Sequence, residues 1–115
     1  MCAINFLKRT KDGILLYCHC SDKYQLLFKN INYNLTLYEL ESFVNYIENV
    51  DASYWEEKYK NSVYDKRIPI PSVQANLMIL LDLVDLYELR ELLNYKTKET
   101  KYITFREIEY KIMMN

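Results

Sequence analysis

Between Gly13 and Cys20 the chain alternates without a polar side. Ile14, Leu16, Cys18 and Cys20 share one face of an extended strand, Leu15, Tyr17 and His19 the other, and both faces are largely apolar. Ser21-Asp22-Lys23 supplies a turn. Beyond it Tyr24, Leu26 and Phe28 alternate with Gln25, Leu27 and Lys29, and past Asn30 the residues Ile31, Tyr33 and Leu35 alternate with Asn32 and Asn34. This pattern predicts a three-stranded meander.

The period then changes from two to about 3.6. Thr36-Leu37-Tyr38-Glu39 is a capping box, ahead of Leu37, Leu40, Phe43, Val44 and Ile47 at helical spacing. Asp51 can cap a second helical stretch, where Trp55 and Tyr59 fall on one face and Trp55 is expected to anchor the helix to the core. Arg67-Ile68-Pro69-Ile70-Pro71 cannot lie mid-sheet, because neither proline donates a ladder hydrogen bond, so an edge strand or extended crossing is expected. Leu77 to Leu81 reads as a buried strand. Asp85-Leu86-Tyr87-Glu88 is a second box, before Leu86, Leu89, Leu92 and Leu93, and Thr104-Phe105-Arg106-Glu107 a third, before Ile108 and Ile112. The order β-β-β-α-α-β-β-α-α predicts an α+β fold, a mostly antiparallel sheet with helices on one face. Residues 1–115 form a single domain on this reading, with 95–115 a candidate C-terminal helical extension.

Composition narrows the chemistry. A chain of 115 residues, half of them hydrophobic, can bury about two-thirds of its unfolded surface around one core. One glycine rules out phosphate-cradling loops, which need several, and one histidine rules out two-histidine zinc motifs. A formal charge of -1 sets up no global field toward nucleic acid or an anionic membrane. No apolar run approaches the roughly 20 residues of a membrane span. The basic residues Lys8, Arg9 and Lys11 follow the first apolar run instead of preceding it, the reverse of a secretory signal, so a cytoplasmic location is expected. Three cysteines, an odd number, suit reduced thiols there.

The run from Cys18-His19-Cys20 through Tyr24-Gln25-Leu26-Leu27-Phe28-Lys29-Asn30, Leu35-Thr36-Leu37-Tyr38-Glu39-Leu40 and Ile68-Pro69-Ile70-Pro71 to the Leu-rich helix ending at Leu93 resembles a family of small bacterial proteins of unknown function. The resemblance covers residues 13 to 94 and implies one compact α+β domain. It brings no activity and no cofactor. Lys29-Asn30 stands where glycine is more usual in that pattern.

Cys18, His19 and Cys20, with Cys2, are the one set able to supply a Cys₃His zinc site or a redox thiol. Strand geometry opposes it: Cys18 and Cys20 point one way and His19 the other, and two strand residues rise about 6.6 Å, too far for an unstrained Cys18–Cys20 disulfide. Paired carboxylates such as Glu39 and Glu41, Glu56 and Glu57 or Glu88 and Glu91 lie where caps and solvated faces use them, so no catalytic pair is identified. Lys96, Lys98, Lys101, Arg106 and Lys111 interleave with Tyr95, Tyr102, Phe105 and Tyr110, but Glu99, Glu107 and Glu109 dilute the stretch as a nucleic-acid surface. Phe105, Ile108, Ile112 and Met113 form an apolar helix face suited to a protein partner or a second copy. The sequence therefore favours a cytoplasmic interaction or accessory module without catalysis or cofactor, working through a homodimer or a protein partner. The alternative is a metal- or thiol-dependent site on Cys2, Cys18, His19 and Cys20.

Overall fold

The computed structural model describes residues 3–72 and 74–96. Four strands, β1 (Ile4–Arg9), β2 (Gly13–Cys18), β3 (Lys23–Phe28) and β4 (Ile31–Leu35), pair antiparallel in sequence order as a meander. The last three are the strands the alternation predicts. β2 is shorter than expected, His19 and Cys20 lying in the turn that follows.

β1 is an addition, and its bulge explains why no alternation announces it. Phe6 faces Leu16 and Lys8 faces Leu15, leaving Leu7 as the extra residue between them. The parity of the strand is thereby reversed partway along. Leu7 turns to the core while Phe6 and Arg9 share the opposite side, the Arg9 guanidinium 5.9 Å from the Phe6 ring.

Helix α1 (Leu37–Asn49) starts at the predicted box: the Thr36 hydroxyl accepts from the Glu39 amide at 3.1 Å and the Glu39 carboxylate from the Thr36 amide at 2.9 Å. It buries Leu40, Phe43 and Ile47. Asp51 caps the short helix α2 (Ala52–Lys58), which packs through partly buried Trp55, stacked on Tyr59. β5 (Ile68–Ile70) and β6 (Ile79–Leu81) make a separate two-stranded antiparallel sheet, so Pro69 needs no second neighbour. Tyr46 holds this segment, its hydroxyl donating to the Pro69 carbonyl at 2.8 Å, and Tyr33 does the same at Pro71. The predicted strand from Leu77 is shortened, since Leu77 and Met78 are half exposed.

α3 (Leu83–Leu93) begins one turn earlier than expected. Asp82 is its cap and Asp85 the reciprocal member of the box, because β6 ends at Leu81 and the chain turns directly into the helix. Both Asp82-x-x-Asp85 and Asp85-x-x-Glu88 satisfy the motif, and the end of the strand selects the first. Asp85 is thereby buried, and Lys66 closes on it at 2.7 Å with Lys29 at 3.4 Å. Glu88, freed from capping, accepts from the Thr10 hydroxyl and the Asp12 amide, both at 2.7 Å, and fastens the β1–β2 turn to the helix.

The core lies between the inward side of the meander (Leu15, Leu26, Phe28) and a layer made by α1, α3 and β5–β6. The helices thus cover one face of the four-stranded sheet, as the α+β reading requires. Gly13 allows a close approach of α3 to the sheet. A Cβ there would lie 2.6 Å from Leu92 Cδ2 and 3.2 Å from the Leu27 carbonyl oxygen.

Candidate protein-docking face

The register divides the meander's side chains into two sets. Leu15, Tyr17, Tyr24, Leu26, Phe28, Ile31, Tyr33 and Leu35 point to the helices. Ile4 lies opposite Cys18, Phe6 opposite Leu16 and Ile14 opposite Leu27, and these six side chains occupy the outward side, with Gln25, Asn32 and Asn34 completing it toward β4. The part of the outward face on β1–β3 is therefore mostly apolar. No helix or strand among the described residues covers it.

Ile4 is 49% exposed and Phe6 52%, whereas Leu16 is only 8% exposed because Phe6 lies beside it across the pair. A two-layer domain needs one apolar sheet face, and a second one bordered by polar groups is the usual mark of a binding surface. The sequence signal for it was the strand with two apolar sides. Assigning one of those sides to solvent required the sheet order and the helix positions.

Electrostatics distinguish this face from the rest. Arg9 and Lys23 stand on it at opposite ends, Arg9 opposite Ile14 and Lys23 opposite Cys18. None of its strand positions carries a carboxylate. Nearby acids are already engaged: Asp12 pairs with Lys29 at 3.2 Å, and Asp22 accepts from the Tyr17 hydroxyl at 2.6 Å, which pushes that phenol above its ordinary range. At the Arg9 end the β1–β2 turn encloses a shallow concavity of about 200 Å³, lined by Arg9, Lys11, Gly13, Ile14, Leu27 and Lys29 among others.

The cysteine set is dispersed. Cys18 is a free thiol on the outward face, held below the usual cysteine range by a hydrogen bond from the Ser21 side chain and by the Ser21 amide. His19 is exposed and its ring meets Tyr17 edge-on at 4.8 Å, on the other side of the sheet. Cys20 is disulfide-bonded, which corrects the expectation that all three cysteines are reduced. Cys2 lies outside the described residues. Among the described residues no group of three or more His, Cys, Asp or Glu side chains could hold a metal ion.

The tyrosines do not form one contact surface. Tyr24, Tyr33 and Tyr46 are half-buried against the core, while Tyr54, Trp55, Tyr59 and Tyr64 make a chain of ring contacts beside α2. The apolar helix face of Phe105, Ile108, Ile112 and Met113 lies outside the described residues, as do the connector 97–101 and the third capping box. No helix among the described residues is long and apolar enough to cross a membrane.

No curated protein and no solved structure is detectably similar to the chain. The resemblance of residues 13 to 94 to a family of unknown function is upheld and widened, to include β1 and the C-terminal segment. A family model described as a family of unknown function, DUF6686, matches residues 1–115, and the chain belongs to that family.

Proposed function

We propose that this protein is a small interaction module without catalytic activity, and that it docks a protein partner on the outward face of β1–β3. The observation that carries the reading is β2 itself. Its Leu15 side is sealed by the helices, while its Ile14, Leu16 and Cys18 side adjoins the exposed Ile4 and Phe6. Each Å² of such surface removed from water favours association by about 25 cal/mol, so a partner that covers the strip gains affinity without any rearrangement of the fold. The polar side chains toward β4 and the cations at both ends form the rim expected around an apolar contact.

Site-selective photocrosslinking tests this. A benzophenone amino acid at position 6, compared with one at Tyr38 on α1, which is 78% exposed, is expected to trap one defined partner in the native cell. Equal, diffuse labelling from both positions would refute a docking role for this face.

A further inference from the structure

Resting on the docking role proposed above, the charges around the face define the chemistry of what it binds. We infer that the outward face receives an extended acidic segment of a partner protein, with apolar anchors on Phe6 and Leu27 and a carboxylate at each end of the strip.

Three observations converge on this. First, Arg9, Lys11 and Lys23 have no carboxylate partner among the described residues, although Asp12, Asp22, Asp85 and Glu88 around them are all engaged. These cations sit on or beside a face with no acid of its own, so an incoming carboxylate gains charge-assisted hydrogen bonds without displacing an existing one. Second, the concavity at the β1–β2 turn combines the Arg9 and Lys11 cations with an Ile14 and Leu27 lining, and the one acid that also lines it, Asp12, is paired with Lys29 at 3.2 Å. That suits a side chain with an apolar stem and an anionic end, such as glutamate. Third, the spacing matches a strand. Ile14, next to Arg9, and Cys18, next to Lys23, are four residues apart on β2, about 13 Å at strand rise. An extended segment presents residues i, i+2 and i+4 on one side, so acid, apolar, acid at those positions places one anion at each end and one anchor between them.

A second copy of this chain fits less well. Face-to-face packing would bring Arg9 and Lys23 of both copies onto a surface with no carboxylate, and like charges brought together across an interface oppose association.

Two fluorescein-labelled peptides distinguish these cases by anisotropy against the full-length protein. Both carry Leu at the central same-side position, one with Glu and the other with Lys at the two flanking same-side positions. The Glu peptide is expected to bind at least about tenfold tighter than the Lys peptide, and Arg9→Glu with Lys23→Glu to reverse that order. Phe6→Ser should weaken both. Arg9 is exposed and Lys23 lies at a strand end, so circular dichroism is expected to show the double variant folded.

Equal binding of the two peptides, with loss on Phe6→Ser, would overturn the acidic specificity and leave the docking face standing. No binding by either, with a sedimenting dimer that Phe6→Ser dissociates, would assign the face to a second copy and overturn the inference. No binding by a monomer would overturn it too, and the position-6 crosslink then decides separately whether the face docks anything. Tighter binding of a single-stranded oligonucleotide than of the Glu peptide would also overturn it.

Discussion

Gly13→Ala tests how the sheet and α3 are joined, because local preference and packing predict opposite signs. In a strand with ordinary negative φ, replacing glycine by alanine removes unfolded-state freedom and stabilises by about 0.5–1 kcal/mol. At this position the new methyl would sit 2.6 Å from Leu92 Cδ2, 3.1 Å from Thr10 Oγ1 and 3.2 Å from the Leu27 carbonyl oxygen. Carbon atoms in favourable contact are about 3.5–4.0 Å apart, so the methyl and Leu92 overlap by about 1 Å. Leu92 is fully buried and cannot swing into solvent, and the Leu27 oxygen is backbone. Overpacking of this kind costs about 1–3 kcal/mol, which exceeds the propensity gain, so a net loss of about 1–2 kcal/mol is expected. Urea denaturation followed by circular dichroism reads it directly, given a two-state transition. Leu92→Ala alone should cost about 2–5 kcal/mol through the cavity it leaves. In the double variant the alanine methyl enters that cavity, so the combined loss should fall short of the sum by at least about 1 kcal/mol. Additive losses, or a Gly13→Ala protein as stable as the parent, would refute the argument that α3 approaches β2 through this glycine.

Asp85 is pushed up by burial, but the hydrogen bond from Lys66, the Asp82 amide and the charges of Lys66 and Lys29 outweigh that and hold it below the ordinary aspartate range. Because its folded-state pKa is depressed, its contribution is complete above the unfolded aspartate value of about 4 and is lost as pH falls through the lower folded value. Asp85→Asn should cost about 1–2 kcal/mol at pH 7 and flatten the acid limb of a stability-against-pH curve below about pH 4. An unchanged acid limb would count against this. Thr36→Ala should destabilise by about 1 kcal/mol, seen as a lowered urea midpoint with unchanged slope, and Thr36→Asp should restore most of it. Cys18 should react with 5,5′-dithiobis(2-nitrobenzoate) with a pH midpoint below that of a free cysteine, and Ser21→Ala should raise the midpoint.

Most of the scaffold was legible because its signals are local. The alternation of β2 to β4, the Thr36–Glu39 box, the Asp51 cap and the strand-edge prolines each act within a few residues, and each stands where expected. The departures arise where a distant contact arbitrates. β1 hides because its bulge at Leu7 breaks the period-two pattern. The start of α3 was expected at the Asp85 box, one turn late, because the overlapping Asp82-x-x-Asp85 box is selected only by the end of β6 at Leu81. Lys29 shows the same dependence. Its φ of 53° lies in the left-handed region, which explains why glycine suits that turn, and why this chain can do without glycine is visible only in three dimensions. The Lys29 amide donates to the Asp12 carbonyl at 3.0 Å, as a glycine amide also could, but its ammonium reaches Asp12 at 3.2 Å and Asp85 at 3.4 Å, two contacts that glycine lacks the side chain to make.

The proposed docking face was half legible for a related reason. Sequence shows that both sides of β2 are apolar, but a strand buried on both faces and a strand with one face left for a partner have the same pattern. Only the number of covering layers separates them. Here α1, α3 and the small β5–β6 sheet all lie on the Leu15 side, and they are fixed there by contacts unrelated to binding: Glu88 at the β1–β2 turn, Arg90 donating to the Ile47 and Val50 carbonyls, and Tyr46 on Pro69. Asp85 adds a further tie by drawing in Lys29 from the β3–β4 turn and Lys66 from the approach to β5. These fixed contacts hold the helical layer on one side, and among the described residues nothing covers the opposite strip. An interaction surface made this way needs no mobile element, so a partner should bind it with little rearrangement, and Phe6→Ser should weaken binding while costing only the modest stability lost when Leu16 is uncovered.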